Sequence, residues 1–269
     1  MPISVANKAV AVPKMWQKTL ANGMKVLGTQ SIETPTTSLL LKIPAGHYYS
    51  DKEKAGIVSL LASVLNESTT QRSAEDMSNE LQKLGSSVSI YADTQYLNVN
   101  VSTLTKNLDA TMVLVNEKLM MPAFIESEFA RNKSNAIQGV INNKKDAAYL
   151  ASTAYRQLLQ ADNIAATSNQ GSEQSINNIN LTDVKAFYQQ HLKPFNSQLI
   201  MVSDLKEKAL VKTLQLFSLW QGKGEDLLLT LEKPQTKTGL IYLVNKDDAA
   251  QSAIRIGKRS ITQDITGEY

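Results

Sequence analysis

The 269-residue chain contains no cysteine and only two histidines, His47 and His191. The first absence excludes disulfides, thiolate metal sites and cysteine nucleophiles. It fits a bacterial extracytoplasmic protein without requiring one. The second excludes a catalytic zinc site carried by two histidines of one helical turn. A zinc centre mixing both histidines with carboxylates would need the fold to bring distant residues together. His47 follows a strand in what reads as a polar loop. His191 ends a helix, where an imidazole suits the negative end of the helix dipole.

Long apolar runs are missing too. None approaches the ~18 residues of a membrane span, and Met1 to Lys8 lacks the apolar core of a signal peptide. Net charge is only +3, from 28 basic and 25 acidic residues spread along the chain. No electrostatic footprint for nucleic acid or an anionic membrane stands out, and the pairs Lys144-Lys145 and Lys258-Arg259 read as solvated surface. There is no G-x-S-x-G elbow, phosphate-binding P-loop or dinucleotide fingerprint. The carboxylate pairs Glu75-Asp76, Glu225-Asp226 and Asp247-Asp248 are sequence neighbours, whose side chains point apart in helix or strand. They read as surface charge rather than an acid/base pair.

What is present is an ordinary globular composition, 42% hydrophobic and 20% charged, with enough apolar residues for a substantial core. Asn22-Gly23 between apolar flanks predicts a hairpin. Thr37 to Ile43 reads as a buried strand, and Lys54 to Asn66 as a helix by the spacing of Ile57, Leu60, Leu61, Val64 and Leu65. Ser73 caps a second helix that ends at Gly85. Val88–Ala92 and Leu97–Ser102 alternate and pair around Asp93-Thr94. Helices follow over about 106–120 and 126–160, then a polar loop over 163–180, a helix capped by Thr182 that ends near His191, a strand at Ser197–Val202 and a helix over 205–219. Gly239–Val244 and Ala250–Ile256 read as further strands. Grouped strands and helices predict an α+β fold with a mixed or antiparallel sheet covered by helices. The expected organisation is a tail over 1–17, a lobe over 18–220, a linker over 221–236 and, over 237–269, the start of a second lobe cut short.

The helix over Gly56 to Asn66 holds no charged residue. Opposite its leucines lie Ser59, Ala62, Ser63 and Asn66, so both faces are expected to be covered. The stretch Ala55-Gly-Ile-Val-Ser-Leu-Leu-Ala-Ser-Val-Leu-Asn66 resembles the metal helix of the pitrilysin/insulinase zinc peptidases, inverted zincins that carry H-x-x-E-H there. Leu20–Val26, Ser73–Gly85, Pro122–Phe129, Gly171–Phe187 and Gln251–Gly257 resemble, in order, further segments of the same family. No single piece is specific; the ordered set is.

The resemblance places Ser59 and Ser63 at the two histidine ligands, Ala62 at the catalytic glutamate, and Gly139, beside Gln138, at the third ligand. These residues offer no imidazole or carboxylate to zinc, and no base to its water. The resemblance therefore implies a non-catalytic half, with zinc only in an active partner half of the same polypeptide or a separate subunit. The pair would enclose a chamber for peptide substrates. The alternative is a structural scaffold subunit with no peptidase role. The resemblance further implies an internal fragment of a periplasmic or otherwise extracytoplasmic parent. In active halves peptide adds to an edge strand near the metal; the matching segment is Ser87 to Tyr91, which reads more simply as an ordinary sheet strand.

Overall fold

The computed structural model of the protein describes residues 13–160, 163–224, 241–247 and 249–257. Asn22-Gly23 makes the expected turn between β1 (Met15–Thr19) and β2 (Lys25–Gln30), with Gly23 in the left-handed region at φ 85°. The asparagine does more than turn the chain. Its amide donates to the carbonyls of Phe217 at 3.0 Å and Trp220 at 3.1 Å, tying the hairpin to the far end of the lobe. β1 starts inside the stretch expected to be a tail. Trp16 stands opposite Gly28, and the bare glycine backbone leaves room for its indole.

β3 (Thr36–Ile43), β4 (Ser87–Ala92), β5 (Leu97–Leu104) and β6 (Gln198–Ser203) complete one sheet in the order β1-β2-β6-β3-β5-β4. Only the β2–β6 pairing is parallel, so the sheet is mixed, as expected of an α+β chain. Period-two alternation sends Val26, Leu39, Leu41, Ile43, Leu97, Val99, Val101, Leu199 and Met201 into one core. Each such side chain contributes about 1.5–3 kcal/mol by leaving water.

The helices are α1 (Ile57–Asn66), α2 (Ala74–Lys83), α3 (Leu108–Met120), α4 (Glu126–Asn143), α5 (Ala147–Gln160), α6 (Glu173–Asn177), α7 (Leu181–His191) and α8 (Glu207–Thr213). α1, α3 and α7 supply the helical side of the core. Among the described residues no helix is long and apolar enough to cross a membrane.

Several local expectations change. The helical stretch over 126–160 is two helices, broken at Lys144-Lys145-Asp146, where the Asp146 carboxylate accepts the Ala148 N–H at 2.7 Å. The segment 163–180 is not only loop. It holds a 3-10 turn at Ile164–Ala166 and α6, which a Ser172–Ser175 capping box opens. α7 is capped by Asn180 rather than Thr182, because a reciprocal Asn180–Asp183 pair satisfies its first donors. After α8 the chain tightens into a 3-10 run over Leu214–Leu219. The strands expected near 239–244 and 250–256 are not formed by the described residues there. Ile241 and Leu243 are about nine-tenths exposed, at 88% and 92%, and among the described residues no neighbouring strand supplies a ladder. Residues 1–12, 225–240 and 258–269 lie outside the described residues, and with them most of the expected tail and linker.

Candidate functional site

α1 follows an N-cap at Gly56, held at φ 104°, and packs against β4, α4 and α7. Seven of its ten residues are buried, Ala62 among them at 4% exposure. The expectation of full cover on both faces holds for Ala62 but not for the rest of the stripe: Ser59 and Ser63 are half-buried and Asn66 is exposed.

Both hydroxyls are committed. Ser59 donates to the Asn169 carbonyl at 2.7 Å, and Ser63 donates back to the Ser59 carbonyl at 3.0 Å. Gly139 and its neighbour Gln138 lie exposed on α4, the helix packed beside α1. A Cβ added at Gly139 would meet nothing within 4 Å, so the space a longer side chain would fill is open. Two hydroxyls bonded to carbonyls, a buried methyl and a glycine do not fit zinc, which takes thiolate, imidazole or carboxylate donors. Among the described residues no three His, Asp or Glu side chains converge in a way that could hold a metal ion.

The loop that receives Ser59 is fixed over the start of α1. Gly171, at φ 79°, passes so close to the Ala55 carbonyl that a Cβ there would collide with it, and the Ser175 hydroxyl donates to the same carbonyl at 2.8 Å. His47 anchors the other end of this loop. It sits not in a polar loop, as expected, but in a 3-10 turn (His47–Tyr49), with its own side chain buried at 2% exposure. Its Nε2 faces the Ile164 carbonyl at 3.2 Å and the Thr167 hydroxyl at 3.0 Å. Burial holds its imidazole below the ordinary histidine value, with the nearby Arg156 charge adding to the effect. His191 is packed as an aromatic, with ring centroids 4.4 Å from Phe187 and 5.5 Å from Tyr49.

The C-terminal end of α1 carries a polar knot that the sequence does not announce. Lys118 is 4% exposed on α3, and its ammonium donates to the Asn66 carbonyl at 2.9 Å. Burial lowers its pKa, while the Glu67 carboxylate works in the opposite direction. Glu67 also pairs with Arg131 at 2.7 Å and accepts from Asn132 at 3.1 Å. Glu117 is buried too, ion-paired with Arg72 and accepting the Thr69 hydroxyl. A cleft of about 420 Å³ beside α4 includes Phe129, Lys133, Ile137 and Ile179, but the Lys133 ammonium is taken by the carbonyls of Asn177 and Ile179.

Comparison with known proteins agrees with this architecture. Residues 25–168 match the family described as insulinase (peptidase family M16), and residues 178–267 match the peptidase M16 inactive domain. A Helicobacter pylori protein named non-peptidase homolog YmxG is 29% identical over 195 residues, covering 71% of this chain and 44% of that protein. An uncharacterized zinc protease of Rickettsia felis is 20% identical over 230 residues, covering 85% and 55%. The chain thus spans about half the length of these relatives. The crystal structure of a peptidase M16 inactive domain from Pseudomonas fluorescens superimposes with a TM-score of 0.76 at 23% identity, over 82% of this chain and 54% of that one. The periplasmic protease PqqL of Escherichia coli gives 0.72 at 17%, over 84% and 26%. The chain therefore belongs to peptidase family M16, the insulinase family.

Proposed function

We propose that this chain is a non-catalytic half of an M16 zinc peptidase. It would wall the peptide-degradation chamber beside an active half, in the same polypeptide or as a separate subunit. The observation that carries the reading is the chemistry of Ser59, Ala62, Ser63 and Gly139. On the helices where the family resemblance puts its metal site, these residues hold committed hydroxyls, a methyl and a hydrogen atom. Zinc is then expected only in the active partner, since none of these four side chains can activate a water. The match to the family's inactive-domain model supports the same reading. The periplasmic location of PqqL, together with the absence of cysteine, supports an extracytoplasmic setting.

The test is reconstitution. The purified chain is assayed on an unfolded peptide alone, and again with an M16 half from the same organism that carries an intact H-x-x-E-H. The chain alone should be inactive and should raise the rate of the active half. Cleavage by the chain alone that a chelator abolishes would overturn the reading. Complex formation that leaves the partner's cleavage unchanged would favour a scaffold role instead.

A further inference from the structure

β4 is an edge strand of the sheet, and edge strands offer rows of open peptide groups to any extended chain. Which groups point outward follows from the hairpin. The Asp93 N–H donates to the Tyr96 carbonyl at 2.9 Å, so these two residues are a hydrogen-bonded pair. Bonded and non-bonded pairs alternate in an antiparallel ladder. Counting back by twos, Tyr91, Ser89 and Ser87 exchange bonds with Asn98, Asn100 and Ser102. Val88, Ile90 and Ala92 therefore aim their N–H and C=O groups at the free edge.

The middle one of these three is already occupied. The Asn66 carboxamide lies against Ile90 as another strand would: its Nδ2 donates to the Ile90 carbonyl at 2.8 Å, and its Oδ1 accepts the Ile90 N–H at 3.2 Å. The second Nδ2 hydrogen goes to the Ala62 carbonyl, one turn back on α1, at 2.8 Å. The main-chain carbonyl of Asn66 is held in turn by the Lys118 ammonium. An exposed residue at a helix end thus makes three side-chain hydrogen bonds and one through its carbonyl, more than an ordinary surface asparagine needs.

We infer that Asn66 is a built-in plug: its carboxamide stands in for one residue of an incoming strand and closes the β4 edge to extended peptide. A peptide adding to this edge would have to displace both bonds at Ile90 before its own ladder could run past Val88 and Ala92. Because Asn66 is exposed, displacing it would not open the core. Lys118 acts as a positioning residue, fixing the helix end from which the plug reaches. The inference goes beyond the proposed role of the chain and does not depend on it, since it concerns strand geometry alone.

The test uses the full chain, its Asn66→Ala and Asn66→Asp variants, and a short fluorescein-labelled peptide of alternating valine and threonine with a terminal lysine pair. Fluorescence anisotropy should show Asn66→Ala binding about tenfold tighter than the parent chain, equivalent to about 1.4 kcal/mol. Asn66→Asp, which keeps the acceptor but sets a carboxylate against the Ile90 carbonyl, should fall between them or bind as Asn66→Ala does. Amide hydrogen exchange supplies the second readout. In the parent chain the Ile90 N–H should exchange more slowly than those of Val88 and Ala92, and in Asn66→Ala it should lose that protection until peptide is added. Equal peptide affinity in all three chains, tightest binding by the parent, or Ile90 exchanging as fast as its two neighbours in the parent chain would each overturn the inference.

Discussion

Acidification should loosen this protein through His47, and the structure sets both the direction and the ceiling of the effect. The Ile164 carbonyl can only accept, and the Thr167 hydroxyl already donates to that same carbonyl at 2.7 Å. The hydrogen-bond network thus assigns the proton to Nε2, leaving the Nδ1 lone pair buried with no partner among the described residues. A second proton at Nδ1 would create a charge in a buried site near the Arg156 charge. The folded value therefore lies below the unfolded one of about 6.5. Above about pH 6.5 both states hold the neutral ring and the contribution is flat. As pH falls through about 6.5 the unfolded chain takes up the proton first, so stability declines until the folded value is passed. One proton limits the slope to about 1.4 kcal/mol per pH unit, a sizeable share of a typical 5–15 kcal/mol. Urea unfolding from pH 7.5 down to pH 5, compared between the parent chain and His47→Gln, isolates this group from His191 and the carboxylates. The parent should lose more stability across that range than the variant. Identical pH dependence in the two proteins would refute the burial argument.

Other consequences are simpler. Leu61 is fully buried on α1, at 0% exposure, and Leu61→Ala should cost about 2–5 kcal/mol in urea unfolding by leaving a cavity. Gly171→Ala sets a methyl against the Ala55 carbonyl at a left-handed backbone position. It should destabilise by about 1–3 kcal/mol and speed amide exchange in the loop over α1.

How much of this was legible in the sequence depends on how local the cause was. The Asn22-Gly23 turn, the Ser73 cap and the apolar stripe of α1 are read from neighbours a few residues apart, and the structure places them as expected. The charge-free stretch of α1 likewise pointed to a helix packed among others. What failed was set by distant partners. Trp16 joins the sheet because Gly28 makes room across the ladder, a pairing no local pattern reveals. Nothing local to Glu117 and Lys118 signals their burial, because the groups that satisfy them, Arg72 and the end of α1, are distant in sequence. Asn66 read as a small polar residue on a covered face, whereas its role depends on Ile90, in a strand beyond the next helix. The alternation in Gly239–Val244 predicts a strand, but among the described residues no partner strand stands beside it to make a ladder.

The central claim is that α1 and α4 hold no zinc, and the zinc-to-protein ratio of the purified, dialysed chain tests it most directly. Elemental analysis should find far less than one zinc per chain, and prior incubation with excess zinc should not change that after dialysis. A stable one-to-one ratio, lost when Ser59 and Ser63 are replaced by alanine, would contradict the account.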